Sequence, residues 1–345
     1  MKSHKHIWKP ALAAFAMLAV AACGASSGAD EVNADGATVM EIGWQKSALI
    51  SLPDLVAAEQ DFFADRDIDA KLQAMDTGQI AVTAALRGEL DMLYGPQSNI
   101  IQAASQGECF RVLTSGHGNN VNLVARKGTP MPSKTSDAFP GGLADMKGLR
   151  IGVPNLGSAT DRNVREVLRA AGVQDSDVEF IAVGVGSTAV AALESDSIDA
   201  LAVFPPASEA IPKGTTELVV DLINQPEESP LRDVIVSHQI TTCDYLESNE
   251  EAVLNYCKAY LDARDFMSDP ANAQAVEAVI AEYFEVSPEQ AASMWKEYGA
   301  IFDVPTELTE QMWTAQAKFN SEQDQMELPY DEWVYTPCAA EDPRA

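Results

Sequence analysis

Two rounds of strand-length apolar runs alternating with helix-length amphipathic runs constrain this chain of 345 residues more than any other feature. In the first round, 39–44, 68–75, 90–94 and 110–115 read as strands, with helical spacing over 49–63, 79–86 and 98–104 between them. A Pro/Gly/Ser-rich stretch, Gly128 to Gly142, then breaks the pattern. The second round has strands at 149–153, 178–183 and 198–204 and helices at 159–171, ending at Gly172, and at 189–193. Such alternation predicts parallel sheets covered by helices, because a strand can rejoin its sheet in parallel only through a crossover, usually helical. From Glu250 onward four runs (252–266, 273–284, 288–298, 308–319) are helical throughout. Strand-like segments at 121–125 and 234–240 flank the second round, so the chain is expected to leave one α/β lobe, build a second, and return. The expected division is 38–126 with 235–345 as lobe 1 and 127–234 as lobe 2, forming a clamp with ligand between its halves.

The N-terminus bears on compartment. Lys2, Lys5 and Lys9 precede an uncharged run from Ala11 to Ala22, too short for a permanent membrane span and patterned as a secretory signal peptide over 1–22. Val20-Ala21-Ala22-Cys23 resembles the bacterial lipobox, which makes Cys23 the lipidation site, and 23–37 reads as a flexible tether. Removal of the leader takes away three lysines and no acid, so the mature chain is more acidic still than the full chain at −29. That charge excludes phosphate-based nucleic-acid binding, which needs clustered Lys and Arg. Four cysteines remain (Cys109, Cys243, Cys257, Cys338); export permits disulfides, and the sequence leaves three pairings open.

Three stretches carry a family resemblance: Gly148-Leu149-Arg150-Ile151-Gly152-Val153-Pro154-Asn155-Leu156-Gly157-Ser158-Ala159-Thr160, then Val183-Gly184-Val185-Gly186-Ser187-Thr188-Ala189, then Ile198 to Pro206. They resemble the periplasmic binding proteins for nitrate, sulfonate and taurine, a family shared with thiamine-pyrimidine-binding proteins. The resemblance implies a type II periplasmic-binding-protein fold of two α/β lobes joined by two crossover strands. It further implies a monomer that passes a small solute to ABC permease and ATPase subunits, held to the outer face of the membrane by its lipid, without cofactor and without catalysis.

The expected ligand contacts lie where strands give way to helices. In the first lobe these are Trp44 and Gln45, Asp76 and Thr77, Tyr94, Gln97 and Ser98, and His117 and Asn119; in the second, Ser158 and Thr160, Gly186 and Ser187, and Phe204. Aromatic walls with a few hydrogen-bonding groups are the usual mixture in a small-ligand pocket. Ser158 and Thr160 at a helix start suit an anion, although a helix cap explains the same hydroxyls. Asp76, if it points inward, wants a ligand amine, which together with the helix starts favours an aliphatic sulfonate or taurine over nitrate, a pyrimidine or an aromatic carboxylate. His117 has only His238 as a histidine partner in the mature chain, which argues against a metal. The rival reading is a dehydrogenase, since Gly184 to Ala189 fits G-x-G-x-x-A. The acidic residue required at the next strand end is replaced by Phe204, and no G-x-S-x-G elbow stands at a strand-to-helix junction.

Overall fold

The computed structural model describes residues 32–46, 48–205, 207–225, 235–314 and 329–341. The expected leader, Cys23 and most of the expected tether lie outside them. Residues 32–37, expected as tether, instead form a turn tied down by Asn33. Its side-chain oxygen accepts from the N–H groups of Asp35 and Ala37, and its amide donates to Asp69 at 3.0 Å. Among the described residues no helix is long and apolar enough to cross a membrane.

The first sheet takes β1 (Thr38–Gln45), β2 (Ile68–Met75), β3 (Met92–Pro96), β4 (Phe110–His117) and β10 (Ser237–Thr242) in the order β2-β1-β3-β10-β4. β1 pairs in parallel with β2 and β3, and β10 runs antiparallel between β3 and β4. The second sheet takes β5 (Asn122–Arg126), β6 (Arg150–Val153), β7 (Glu179–Ala182), β8 (Ala200–Val203) and β9 (Thr216–Val220) in the order β7-β6-β8-β5-β9. Each sheet is therefore parallel apart from strands delivered by a crossover, as the alternation predicts, and the two α/β lobes of the expected fold class are present.

Two expectations need correction. β5 hydrogen-bonds to β8 and β9 and so belongs to the second sheet; the change of lobe falls at 118–121, ahead of the expected boundary after Arg126. The edge strand β9 is not expected from the sequence, because its five residues, set between turn-forming Pro212-Lys213-Gly214 and Asp221, carry too little alternation to register.

Helices α1 (Leu52–Glu59), α2 (Gly78–Leu86) and α3 (Gln97–Ser105) cover the first sheet, and α4 (Ala159–Ala170) and α5 (Ser187–Glu194) the second. The helical C-terminal part, α6 (Cys243–Ser248), α7 (Glu250–Ser268), α8 (Ala273–Tyr283) and α9 (Pro288–Tyr298), returns to the first lobe. There Tyr256, Tyr260, Val276 and Met294 join Met40, Ile42 and Leu55 in one core. Helix α1 is shorter than its apolar spacing suggested: Pro53 sets its first turn, Gln60 closes it, and Asp61 and Asp67 take positive φ in the turns leading to β2. Ala48, Ile50 and Tyr94 of the first lobe pack in the same apolar cluster as Leu123, Ile151 and Phe204 of the second, so the lobes meet.

The cysteines pair as Cys109–Cys243 and Cys257–Cys338, each with Cα atoms 5.5 Å apart. Both bridges lie in the first lobe.

Candidate functional site

The carboxyl ends of β1 and β3 in one sheet and of β6 and β8 in the other are followed by the loops that carry the expected contacts, which is where α/β sheets take ligands. The crossover from β4 to β5 runs between the two sheets, and β10 begins beside the end of β4: Ser237 pairs with both His117 and Pro96. One rung of the first sheet thus places β3, β10 and β4 at the junction.

Several expected residues are buried there. Tyr94 is 1% exposed, and its hydroxyl has no hydrogen-bond partner. Gln97 and Ser98 open α3, both buried. The Nδ1 of His117 lies 2.6 Å from the Gly118 carbonyl while Nε2 has no partner, and burial pulls its pKa down to about 4, so the ring is neutral. Gly116 before it is forced by space: a Cβ there would sit 2.9 Å from the Ser237 carbonyl. The side chain of Asn119 accepts from the amide of Asn163 on α4, tying the crossover to the second lobe, and this leaves Asn119 Nδ2 and Asn163 Oδ1 buried without partners.

Other expected residues are placed differently. The indole of Trp44 packs edge-on against Tyr283 and Phe284 of α8, with centroids 5.5 and 6.0 Å away, so it is core rather than a wall between the lobes. Gln45 is half-buried and its N–H donates to the Ser51 hydroxyl. Asp76 faces solvent, 63% exposed, and pairs with Lys46 at 2.6 Å, which removes the inward carboxylate on which a ligand amine was argued. Thr77, not Asp76, caps α2 by accepting from the N–H of Ile80.

In the second lobe the Ser158 hydroxyl caps α4, accepting from the N–H of Asp161 at 3.2 Å. The Asp161 carboxylate, 2% exposed, reaches back to accept from the N–H of Gly157 at 2.7 Å and receives Arg165 Nε at 2.9 Å. The positive end of this helix is therefore already answered by the chain's own acid, which disfavours a second anion there. Thr160 in the same first turn is half-buried. Gly186, at φ +60°, has nothing within 4 Å of where a Cβ would stand, and Ser187 after it is exposed, so that turn leaves backbone open to a visitor. Phe204 is buried in the second lobe's core.

Sequence reasoning missed a buried polar group on one face of the first sheet. Cross-strand partners share a face, so Tyr94 with Gln239 and His117 with Ser237 point the same way, toward α1 and α7. There Tyr256 bonds Asp54 at 2.6 Å and Gln239 at 3.0 Å. Asp54 is fully buried in the first turn of α1, its Oδ2 and the Ser237 hydroxyl lack partners, and burial lifts its pKa to about 7. Arg264 of α7 bounds the group and is consumed by the carbonyls of Ser115, Gly116, Phe302 and Val304. The Asp54 signal in sequence, an acid after proline at a helix start, is that of an exposed residue favoured by the helix dipole, so only the fold reveals its burial. Among the described residues no group of three or more His, Cys, Asp or Glu is placed to hold a metal ion.

Comparison with known structures agrees with this architecture. A protein from Bordetella bronchiseptica RB50 superposes with TM-score 0.70 at 21% identity, over 89% of this chain and 97% of its own. The periplasmic aliphatic sulphonate-binding protein SsuA of Escherichia coli does so at 0.65 and 17%, over 83% and 92%. The periplasmic nitrate-binding protein NrtA of Synechocystis PCC 6803 gives 0.66 and 14%, over 92% and 89%. At these identities the likeness shows the fold, that of the periplasmic binding proteins. No curated protein matches the sequence. The model of the NMT1-like family matches residues 34–281, through both lobes and into α8, and the chain belongs to that family.

Proposed function

We propose that this chain is the solute-binding lipoprotein of an ABC-type importer, exported, anchored through Cys23, and closing its two lobes on one small molecule. The observation that carries the reading is the convergence of buried polar atoms without partners at the lobe junction: Tyr94 Oη, His117 Nε2, Asn119 Nδ2 and Asn163 Oδ1. Buried polar groups left unpaired cost the fold about 1–3 kcal/mol each, and an arriving ligand that satisfies them recovers that cost. An enzyme reading lacks such support, because His117 and His238 are both held neutral by burial and neither ring is hydrogen-bonded to an acid. The family neighbours' sulfonate and nitrate belong in the ligand screen with taurine, thiamine pyrimidines, aromatic carboxylates and cationic amines and amidines.

The test is a thermal-shift screen of the purified protein against that panel, followed by small-angle scattering for lobe closure. A ligand at 100 times its Kd should add about 2.7 kcal/mol of stability and reduce the radius of gyration. Asn119→Ala should weaken the best hit by tenfold or more. If no solute in the panel raises the melting temperature or closes the lobes, the capture reading fails.

A further inference from the structure

With the Gln239 amide oxygen turned toward Tyr256, one proton has to serve two acceptors if Asp54 is ionised. The Tyr256 hydroxyl has one proton, yet it lies within bonding distance of two oxygens, Asp54 Oδ1 and Gln239 Oε1. The chain of bonds closes when Asp54 is a carboxylic acid: its O–H donates to the Tyr256 oxygen, and Tyr256 donates to Gln239. Full burial of Asp54 favours the same state. Oδ2 then remains as a buried acceptor with no donor, on the sheet face that also holds the unpartnered Tyr94 hydroxyl, Ser237 hydroxyl and His117 Nε2. That face reaches the lobe junction at the Ser237–His117 rung.

We propose that this face is the part of the capture site that reads the solute's charge, with Asp54 as acceptor for a protonated nitrogen group, an amine or amidine. The inference rests on the capture reading and specifies the solute it selects. The electrostatics elsewhere point the same way. The helix start expected to hold an anion is occupied by Asp161, Lys46 is spent on Asp76 at the surface, and Arg264 is spent on carbonyls. When the cation arrives, the Asp54 O–H bond breaks and its proton passes to solvent, so the buried pair is one cation against one carboxylate. Tyr256 turns to donate to Oδ1, and the Gln239 amide reverses to donate to the Tyr256 oxygen. The other titratable groups facing Asp54 are Tyr256 and Tyr260, both raised by burial, then Arg264 and, beyond it, His117 at about 4. None of these changes charge near neutral pH, whereas Asp54 does, at about 7. Affinity for a cation therefore rises as pH climbs toward and through that value and levels off above it.

Three probes of one shape and different charge test this: benzamidine (cation), benzamide (neutral) and benzenesulfonate (anion), by calorimetry on the full protein between pH 6 and pH 8.5. Benzamidine is expected to bind best, with affinity increasing roughly tenfold per pH unit below the Asp54 pKa. At pH 6 it should release close to one proton, read from buffers of different ionisation enthalpy. Asp54→Asn should lose at least tenfold in benzamidine affinity and all of the pH dependence, while Tyr94→Phe should keep the pH dependence. Proton release is measured on the unaltered protein, so the outcome stands even if Asp54→Asn does not fold. The proposal is overturned if benzenesulfonate binds more tightly than benzamidine, if benzamidine binds without proton release, or if none of the three binds. Benzenesulfonate binding that is equal in the unaltered protein and Asp54→Asn overturns it while leaving solute capture intact.

Discussion

Removal of the Cys109–Cys243 bridge measures whether the two lobes unfold together. The bridge closes a sequence separation of 134 residues, and the segment it spans contains the whole second lobe. If the chain unfolds in one step, the chain-entropy relation assigns the bridge about 5 kcal/mol at 25 °C. If the second lobe stays folded while the first opens, its own structure already holds the ends of the excursion together at 118–121 and 235–236. The loop left to close is then only the two short arms, roughly 15 residues, worth about 3 kcal/mol. Cys257–Cys338 spans 81 residues within the first lobe and C-terminal part, worth about 4.5 kcal/mol in either case. The assay is urea unfolding of the double variants Cys109→Ser/Cys243→Ser and Cys257→Ser/Cys338→Ser, followed by circular dichroism and by tryptophan fluorescence. Every tryptophan from Trp44 onward lies in the returning first lobe, so fluorescence reports that lobe while dichroism reports both. Coincident transitions with the 109–243 variant the more damaged indicate one cooperative unit; separated transitions with the 257–338 variant the more damaged indicate independent lobes. Losses under 1 kcal/mol from both variants would refute the loop-closure reasoning altogether.

Two further outcomes follow from single contacts in the second lobe. Asp199 receives Arg150 through Nε and Nη2 at 2.9 and 2.8 Å and Arg126 through Nη2 at 2.8 Å, fastening the starts of β6 and β8 to the end of β5, and these hydrogen bonds hold its carboxyl well below the usual range. Asp199→Asn should cost about 2–4 kcal/mol at pH 7. Because the folded-state pKa is depressed, the carboxylate's contribution is complete above the unfolded value of about 3.9 and fades as pH falls below it toward the folded value, so urea melts of the two proteins should converge at low pH. Ser158→Ala should cost about 1 kcal/mol through the lost α4 cap, read in the same melts, and should leave solute affinity within about twofold, since the hydroxyl is already engaged with Asp161.

The fold was legible because its signal is periodic and redundant. Leu149 to Val153, Gly172 and the run ending at Phe204 each announce an element on their own, and a miss such as β9 costs one edge strand without disturbing the rest. Lobe membership was less legible. β5 looks alike whichever sheet it joins, since a buried strand presents apolar residues to both faces; its assignment is made by hydrogen bonds to β8 and β9, which no local pattern encodes.

The candidate residues were legible by their position in the fold and not by their contacts, and the reason is physical. Strand-to-helix junctions can be counted along a sequence, which is how Tyr94, Gln97, His117 and Asn119 became candidates. What a side chain does at a junction depends on which of several nearby partners takes its hydrogen bonds. Asp76 and Asp54 show this in opposite directions. Both are acids at or before a helix start, in similar company, one beside Thr77 and Gly78, the other after Pro53. Asp76 has a lysine within reach on the preceding loop and stays in water, where such a pair is worth little. Asp54 is turned inward by α1 onto Tyr256, 202 positions away on α7, which in turn meets Gln239 only because β10 returns from the second lobe and inserts between β3 and β4. The same return strand places Ser237 beside His117. The polar face proposed to meet the solute is thus a product of the crossover topology: without the returning strand, Asp54 and Tyr94 would lack Gln239 and Ser237 on that face.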